Sequence, residues 1–343
     1  MAARHLVLLE LQDEIGNRGW GESWTNFPAW APAERIAAFR AAFLPYMKGR
    51  EVAFVPDFIR GMAKAFLGPA RQSGTVAPLV ASLCAVEMAL IDLAAKRERV
   101  PISKLLFPSP ESKVRIYASG IGAPIPWNEI DRYLDCGVTL FKLKIGFDDS
   151  SDLANIQAMK RHLGSRAKLA VDVNRNWTCR QAKEWLKPLA DLEIQWLEEP
   201  LSVEEERFTE ELAALSAVPL AGGENILVEP GGEIGAISAS SFAVLQPDMT
   251  KYCTAHDYVR LLPEAAGRRK RVVPHFLASA PGQAFSLHLA AGCPDPLVEW
   301  DINPNPLRTD FFREEFHISG GMISIPEDPG LGWTPQAGRL RQD

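Results

Sequence analysis

From about residue 113 onward, short apolar runs alternate with amphipathic stretches of helical period. Eight runs are predicted as strands, namely Val114–Ala118, Leu140–Lys144, Leu169–Val173, Ile194–Glu198, Pro219–Gly223, Ala243–Gln246, Arg271–Pro274 and Leu297–Trp300. Helices are predicted between them, over Leu153–Leu163, Arg180–Leu189, Glu205–Ser216, His256–Ala266 and Gln283–Ala291. Parallel strands joined by helical crossovers, eight times over, favour a closed β/α barrel. An open doubly wound sheet is the alternative, but no GxGxxG follows any predicted strand.

The first 110 residues lack this alternation. Their pattern predicts a strand over Leu6–Glu14, a loop rich in glycine and tryptophan over Gly16–Trp30, and helices over Ala33–Lys48 and Ala77–Arg97. We therefore expect an α+β module in residues 1–110, a barrel in residues 111–303, and an irregular tail in residues 304–343 that packs back on the first module.

Composition and charge narrow the classes of function. The chain has 343 residues, of which 47% are hydrophobic, and its 37 basic and 43 acidic residues argue against nucleic acid as a partner. The longest apolar stretch, Val80–Ala95, contains Ser82, Glu87 and Asp92, so no membrane span is predicted. The first ten residues do not resemble a signal peptide, which predicts a cytoplasmic protein. Five cysteines without a CxxC pair argue against a disulfide framework or a thiolate metal site.

Polar residues stand at the end of nearly every predicted strand. In a β/α barrel the active site lies at the C-terminal ends of the strands, so such residues are candidates for catalysis. They are Lys142 and Lys144, Asp172 and Asn174, Glu198 and Glu199, Glu224 and Asn225, Asp248, His275, and Glu299. Successive strand ends are 24 to 28 residues apart, about one βα unit, so we expect these side chains to ring a single cavity.

Three of these residues are carboxylates on consecutive strands. Asp172, Glu198 and Glu224 would repel one another at barrel-mouth distances unless a cation lay between them. Ligation by oxygen alone suits Mg²⁺ better than zinc, which prefers histidine or cysteine. The alternative is that the three are surface carboxylates near helix N-termini. Their common register on adjacent strands favours the metal site.

Two lysines end the second strand. Side chains alternate along a strand, so Lys142 and Lys144 face the same side, and we expect each to lower the pKa of the other. A lysine with a lowered pKa can act as a general base. A solvated barrel edge is the alternative, but Phe141, Leu143 and Ile145 mark the opposite side of the strand as buried.

His275 ends the seventh predicted strand, beside Asp248 at the end of the sixth. A carboxylate next to an imidazole orients the ring and holds its proton on one nitrogen, which suits a histidine base. A serine hydrolase using this pair is not supported, because the sequence has no GxSxG motif.

These residues form motifs that extend over most of the barrel and the tail. The motifs are Lys142-x-Lys144, Asp172-x-Asn174, Leu197-Glu-Glu-Pro200, Gly223-Glu-Asn225, Asp248 with His275, Glu299, and Pro329-Gly-Leu-Gly332. Together they resemble the mandelate racemase group of the enolase superfamily, and Gly19-Trp-Gly-Glu22 resembles part of the capping domain of that family. The resemblance implies a modified (β/α)7β barrel with an α+β cap formed by the N-terminal segment and the C-terminal tail.

The resemblance also implies roles for individual residues. Asp172, Glu198 and Glu224 would hold one Mg²⁺ per subunit, and Lys142 would belong to the catalytic set. Lys144 would be one base, and His275 with Asp248 the other. Glu299 would contact the substrate carboxylate, with Asn174, Trp20 and Trp24 as further substrate-binding residues. We also expect a homo-oligomer acting on a small-molecule carboxylate.

The implied chemistry is Mg²⁺-dependent removal of the proton α to a carboxylate, through an enediolate. Dehydration of a sugar acid is preferred by analogy with the family. Racemisation or epimerisation of a 2-hydroxy or related acid is the alternative, because two bases facing each other could serve either reaction. A metal-dependent barrel aldolase and a non-catalytic barrel protein are further alternatives.

The resemblance is incomplete in two places. Lys251-Tyr-Cys-Thr254 stands where the family often has paired glycines. The strand Leu6–Glu14 corresponds to the usual second strand of the cap, so a first strand and its specificity loop are expected to be missing. We expect either low activity or further coding sequence upstream. The cap loop with Trp20, Trp24, Phe27 and Trp30 could compensate by folding inward, although such aromatic residues also serve as cap core.

Overall fold

The computed structural model describes residues 5–277 and 279–336. The chain begins with an antiparallel pair, β1 (Val7–Gln12) and β2 (Arg18–Ser23). Helices follow as α1 (Ala31–Ala38), a π-helical segment (Phe39–Phe43), α2 (Leu44–Met47), α3 (Val55–Ser73), α4 (Val76–Glu98) and α5 (Ile102–Leu106). These elements form the cap.

Three sequence predictions for the cap were incomplete. The loop predicted over Gly16–Trp30 contains the strand β2. The single helix predicted over Ala33–Lys48 is interrupted by the π-helical segment, where Leu44 N donates to Phe39 O. The next residue is Pro45, which has no N–H to donate. The 19-residue helix α3 was not predicted at all.

Helix α4 is the centre of the cap, and it packs against β2 at very short range. A Cβ on Gly19 would lie 2.1 Å from Ala89 O, and a Cβ on Gly21 would lie 1.9 Å from Ala85 O. Only glycine fits at these two positions of β2. By length and composition, α4 could cross a membrane, so the sequence-based statement that no segment could do so is corrected. Most of the apolar residues of α4 are nevertheless buried inside the fold.

The barrel follows the cap, with strands and helices in strict alternation. The strands are β3 (Lys113–Ile121), β4 (Leu140–Lys144), β5 (Lys168–Asp172), β6 (Leu197–Glu198), β7 (Leu220–Gly222), β8 (Val244–Leu245), β9 (Arg271–Val272) and β10 (Leu297–Asp301). The helices between them are α6 (Trp127–Asp135), α7 (Asp149–Leu163), α8 (Cys179–Asp191), α9 (Thr209–Leu215), α10 (Gly235–Ser238), α11 (Ala255–Gly267) and α12 (Ala280–Ala290).

Strands β3 to β9 pair in chain order and in parallel, and β10 pairs in parallel with β3. Eight strands with seven intervening helices form the modified (β/α)7β barrel, which confirms the predicted fold class. All eight predicted strands are present, and each overlaps its predicted range.

The tail contains α13 (Pro306–Thr309), β11 (Ile318–Ser319) and β12 (Met322–Ser324). Strand β12 pairs with the barrel strand β3, whereas Leu331 N donates to Asp92 Oδ1 in α4 of the cap. The tail therefore contacts both the barrel and the cap. The boundaries at residues 110 and 303 stay a prediction.

Side chains alternate between the two faces of the barrel wall. Those that point outward, such as Phe141, Val171 and Val298, pack under the helices. Those that point inward fill the lumen with a separate apolar layer of Tyr117, Ala170, Trp196, Ala221, Val244, Val273 and Leu297. The polar residues that end the strands lie next to this layer, so their charges are partly removed from water.

Candidate active site

The ends of β4, β5 and β6 place three charged side chains next to one another. In the strand register Lys144 is opposite Asp172, and Asp172 is opposite Glu198. Asp172 and Glu198 are buried, with 2% and 3% of their surface exposed. The regular pairing of parallel strands therefore brings these predicted residues together, as the spacing in the sequence indicated.

Lys142 lies in the middle of the carboxylates. Its Nζ is 2.5 Å from Glu198 Oε1, 2.8 Å from Glu299 Oε1 and 3.7 Å from Asp172 Oδ2. Burial lowers the pKa of Lys142, but Glu198 and Glu299 outweigh it, so the pKa is well above the ordinary value. The expectation that the two lysines lower each other's pKa is therefore wrong for Lys142, because three carboxylates face its ammonium group.

Lys144 lies nearer the solvent, with 26% of its side chain exposed. Its Nζ donates to Asn174 Oδ1 at 2.5 Å and contacts Asp172 Oδ2 at 3.2 Å. Asn174 has a φ of 49°, and its backbone N–H donates to Asp172 Oδ1 at 2.9 Å. This tight turn after β5 brings the amide oxygen of Asn174 over the end of β4, where it orients the Lys144 amine.

On the other side of the mouth, His275 is held between two carboxylates. Its Nδ1 is 2.9 Å from Asp248 Oδ2, and its Nε2 is 2.5 Å from Glu224 Oε2. Asp248 Oδ1 accepts from the backbone N–H and the hydroxyl of Thr250, which fixes the carboxylate. Burial lowers the pKa of His275, but Glu224 and Glu299 outweigh it and raise the pKa well above the ordinary value.

Glu299 connects the two sides of the site. It is fully buried, its Oε1 accepts from Ser119 Oγ at 2.5 Å and contacts Lys142, and its Oε2 lies 3.6 Å from His275 Nε2. Burial raises the pKa of Glu299, but Lys142 and His275 lower it below the ordinary value. Glu299 is therefore a carboxylate that accepts hydrogen bonds in this arrangement.

A second polar cluster lies beside the predicted metal ligands. Asn225 Nδ2 donates to both oxygens of Glu199, at 2.8 and 2.9 Å, and to Glu224 Oε1 at 3.1 Å. Lys251 Nζ donates to Asn225 Oδ1 at 2.7 Å and lies 3.5 Å from Glu224 Oε1. Lys251 belongs to the segment that departs from the family's paired glycines, and its side chain reaches the site from there.

The donor set is suitable for a hard divalent cation. Burial, Asp172 and Glu299 raise the pKa of Glu198 to about 7 against the opposing effect of Lys142, and burial with Glu224 raises the pKa of Glu199 to about 8. Carboxylates crowded in this way are stabilised by a cation between them. Within residues 5–277 and 279–336, no three such side chains are grouped at metal-binding spacing. Glu224 Oε2 faces His275 Nε2.

The two predicted cap tryptophans lie in different places. Trp20 is 6% exposed and packs edge to face on Phe311 at 5.5 Å between ring centroids, so it belongs to the core and not to the cluster at the mouth. The ring of Trp24 lies 4.6 Å from Lys251 Nζ, and Trp24 N donates to Thr250 O. Trp24 thus reaches the edge of the site.

Two site residues were missed in the sequence. Trp196 and Gln246 are buried, and each donates a hydrogen bond to Glu198 Oε2. Each stands two positions before a predicted site carboxylate, Glu198 and Asp248 respectively. Because side chains alternate along a strand, this spacing places them on the same side, one layer deeper in the barrel. That signal was present in the sequence.

Comparisons with known proteins show the family to which this chain belongs. Residues 128–339 match the family described as enolase C-terminal domain-like, and residues 1–106 match the N-terminal domain of mandelate racemase and muconate lactonizing enzyme. The chain belongs to the enolase superfamily. The resemblance seen in the strand-end motifs is confirmed, and so is the prediction of an enzyme of this superfamily.

Several relatives of this superfamily member are similar over nearly its whole length. D-galactarolactone cycloisomerase from Agrobacterium fabrum is 28% identical, covering 95% of this chain and 88% of the relative. Arabinonate dehydratase from Saccharolobus solfataricus is also 28% identical, covering 97% and 89%. A mandelate racemase/muconate lactonizing enzyme from Bordetella bronchiseptica RB50 has a TM-score of 0.91 at 32% identity, covering 98% and 94% of the two chains.

Members of the superfamily bind Mg²⁺. One solved structure, a racemase from Streptomyces coelicolor A3(2), contains bound magnesium. It has a TM-score of 0.83 at 23% identity and covers 98% of this chain and 90% of that one. At this identity the match concerns the fold alone.

Proposed function

We propose that this enzyme dehydrates a sugar acid by removing the proton α to its carboxylate, with Asp172, Glu198 and Glu224 holding one Mg²⁺. The observation that carries the proposal is the pair of proton-transfer groups, Lys144 and His275, on opposite sides of the carboxylate cluster. The relatives named above include a sugar acid dehydratase and a cycloisomerase of a sugar lactone.

When bound, Mg²⁺ supplies a Lewis acid that stabilises negative charge developing on the substrate carboxylate. The remaining chemistry belongs to side chains. Lys142 keeps its proton because three carboxylates face it, so its ammonium group provides fixed positive charge beside the substrate carboxylate. Glu299 holds Lys142 in place and lies near His275, and its predicted direct contact with the substrate stays part of this proposal.

Two proton transfers complete the reaction. The Lys144 amine takes the α proton, the C–H bond breaks, and its electron pair forms the enediolate. The C–O bond at the β carbon then breaks, and His275 Nε2 donates its proton to the departing hydroxyl, which leaves as water. The resulting enol becomes the 2-keto acid. His275 suits the acid role because the carboxylates around it favour its protonated form.

The direct test is a screen of aldonic and aldaric acids with Mg²⁺, in which 2-keto acid formation is measured. We expect Lys144→Ala and His275→Asn to lose at least about 100-fold in rate, the contribution typical of a general acid or base. His162→Asn is a matched control, because His162 also pairs with a carboxylate, Asp131 Oδ1 at 2.7 Å, but lies on α7. Absence of keto acid from every substrate, with Mg²⁺ bound, would contradict dehydration.

Racemisation or epimerisation is the second candidate, favoured by the same two opposed groups. In that reaction Lys144 and His275 would exchange the α proton on opposite sides of the same carbon. Exchange of the α proton with solvent deuterium, without keto acid, would identify it. His275→Asn distinguishes the two: if Lys144 is the base for elimination, exchange persists in this variant while keto acid formation stops.

A small-molecule acid is the expected partner. The cytoplasmic location and the homo-oligomer predicted from the sequence remain part of this proposal. Sedimentation velocity of the purified protein measures the oligomeric state directly, and a monomer at micromolar concentration would contradict the predicted homo-oligomer.

A further inference from the structure

Two neutral donors converge on one oxygen of Glu198. The indole Nε1 of Trp196 lies 3.1 Å from Glu198 Oε2, and Gln246 Nε2 lies 2.6 Å from the same atom. Trp196 is 2% exposed and Gln246 is 1% exposed. Both bonds come from inside the barrel. The other oxygen, Oε1, faces Lys142 among the charged groups of the mouth.

The two donors are themselves held by the strands and the lumen. Trp196 comes directly before β6, and its ring meets that of Tyr117 edge to face at 5.3 Å between centroids. Gln246 comes directly after β8. A donor that packing already holds in place loses little conformational entropy when it forms a hydrogen bond. The two donors therefore orient Glu198 before any ligand binds.

The chemistry of these donors distinguishes Glu198 from its neighbours. Glu224 has charged groups within reach at both oxygens, namely Lys251 at Oε1 and His275 at Oε2. Asp172 is contacted by Lys144 Nζ at 3.2 Å. The indole and amide on Glu198 Oε2 carry no net charge, so they orient the carboxylate without neutralising it. The other oxygen, Oε1, is the one that faces the charged groups of the mouth, among them Lys142.

We propose that Trp196 and Gln246 are positioning residues that hold Glu198 Oε2 and thereby present Oε1 to the metal ion. This inference rests on the proposed function, in which Glu198 is a Mg²⁺ ligand. Partners that orient a metal ligand typically change metal affinity by 10- to 100-fold. Neither residue is expected to touch the substrate or the cation.

The test is Mg²⁺ binding to the purified protein, measured by calorimetry without substrate. Trp196→Phe keeps the ring and removes the donor, and Gln246→Met keeps the length and removes the amide. We expect each to weaken Mg²⁺ binding about 10-fold or more. The two variants differ in chemistry, so if one of them does not fold, the other still decides the outcome.

A matched control separates positioning from packing. Trp300 is also a buried barrel tryptophan, and its Nε1 donates to Tyr133 OH at 2.9 Å, away from the carboxylates. Trp300→Phe should leave Mg²⁺ affinity within twofold of the natural protein.

Gln246→Glu provides a readout that packing alone would not change. It has the shape of the amide but places a second carboxyl group against Glu198, and two such groups share a proton. That proton must leave when the cation binds, so Mg²⁺ affinity in this variant should rise more steeply with pH than in the natural protein. The profile of Trp300→Phe should stay parallel to that of the natural protein.

The outcomes distinguish failure of the positioning role from failure of the proposed function. If the natural protein binds no Mg²⁺, the proposed function fails. If it binds, and Glu198→Gln abolishes binding while Trp196→Phe and Gln246→Met bind within twofold, only the positioning role is overturned. Equal losses in Trp196→Phe and Trp300→Phe would also overturn it, because they would indicate general loosening of the barrel.

Discussion

Buried carboxylates occur in two regions of this molecule, and their partners differ. At the barrel mouth, Glu224 and Glu299 face the side chains of Lys251, His275 and Lys142. Between cap and barrel, Glu22 and Glu87 face mainly backbone N–H groups. We call the second pair the docking carboxylates. Each lies at the N-terminus of a barrel helix, where unsatisfied N–H groups attract an acceptor.

The docking carboxylates use the helix ends in the same way. Glu22 on β2 accepts from the backbone N–H groups of Ser279 and Gly282, both at 3.1 Å, at the start of α12. Glu87 on α4 accepts from Ala255 N at 2.5 Å, at the start of α11. Burial raises the pKa of Glu22 to about 7 and that of Glu87 to about 8.

Glu224 and Glu299 at the mouth show the opposite shift. His275 and Lys251 hold the pKa of Glu224 well below its ordinary value despite burial. Glu224 and Glu299 therefore keep their charge because neighbouring cations outweigh burial. Burial prevails at Glu22 and Glu87, and it also prevails at Glu198 in spite of Lys142. Burial alone therefore does not mark a catalytic carboxylate. The two regions differ in the kind of partner: charged side chains face the carboxylates of the mouth, and mainly backbone N–H groups face the docking carboxylates.

The largest expected effect separates the two regions by metal binding. Glu224→Gln removes a proposed ligand oxygen and the anionic partner of His275, so we expect Mg²⁺ affinity to fall by at least about 100-fold. Glu22→Gln should leave that affinity within twofold. Calorimetric titration measures the Mg²⁺ affinity of both variants. Comparable losses of affinity in the two would contradict the distinction between mouth and docking carboxylates.

The next effect is on stability. Glu22→Ala leaves the N–H groups of Ser279 and Gly282 and the Ser279 hydroxyl without their acceptor. Each buried group left unsatisfied costs about 1–3 kcal/mol, so we expect a loss of roughly 3 kcal/mol or more in the free energy of unfolding. Urea denaturation measures it. Glu22→Gln keeps one acceptor oxygen and should lose less, and equal stability of Glu22→Ala and the natural protein would contradict the docking role.

The docking carboxylate Glu87 should make the stability of the fold depend on pH. The pKa of Glu87 is about 8 in the fold, against 4.5 as its ordinary value. Between these values the unfolded chain releases its proton and the folded protein retains it, so Glu87 destabilises the fold progressively as pH rises from 4.5 to 8. Glu87→Gln should therefore gain stability relative to the natural protein over that window, by on the order of a few kcal/mol.

Unfolding by urea at pH 5, 6.5 and 8 tests this expectation. Glu98→Gln is the matched control, because Glu98 lies at the exposed end of the same helix. Its stability difference from the natural protein should stay constant with pH. A constant difference for Glu87→Gln as well would mean that Glu87 does not titrate in this window.

The two regions also differed in how far the sequence predicted them. The barrel strands carry apolar residues that alternate with polar strand ends at a regular interval, so both their existence and the grouping of Lys144, Asp172 and Glu198 could be predicted. Parallel pairing is periodic, and the period is visible in the chain. The spacing could not predict which side chains pair with one another. Lys142, for example, pairs with carboxylates of three other strands and not with Lys144.

The cap has no such period. Helix α3 contains Gly61, Gly68 and Pro69, which are typical of loops, and it is stabilised by packing on α4 through residues such as Ile59 and Met62. Strand β2 is rich in glycine because α4 lies directly against it. In α3 and β2, tertiary contacts outweigh local propensity. For this reason the helix was missed and the strand was predicted as a loop.

The smallest expected effect lies where the cap touches the mouth. The ring of Trp24 is 4.6 Å from Lys251 Nζ, and a cation facing an aromatic ring contributes about 0.5–1 kcal/mol at partly exposed sites. Trp30, in the same loop, is 68% exposed. We expect Trp24→Ala to lose about 1 kcal/mol in the free energy of unfolding, and Trp30→Ala to stay within about 0.5 kcal/mol.

These two variants also test whether the cap loop acts on the site. Lys251 contacts Asn225 and Glu224, so its release in Trp24→Ala should weaken Mg²⁺ binding slightly, by about twofold to fivefold if about 0.5–1 kcal/mol is transmitted. Trp30→Ala should leave it unchanged. Because the backbone bond from Trp24 N to Thr250 O survives the substitution, any loss reports on the ring. Identical Mg²⁺ affinities in both variants would show that the cap loop packs beside the mouth without influencing it.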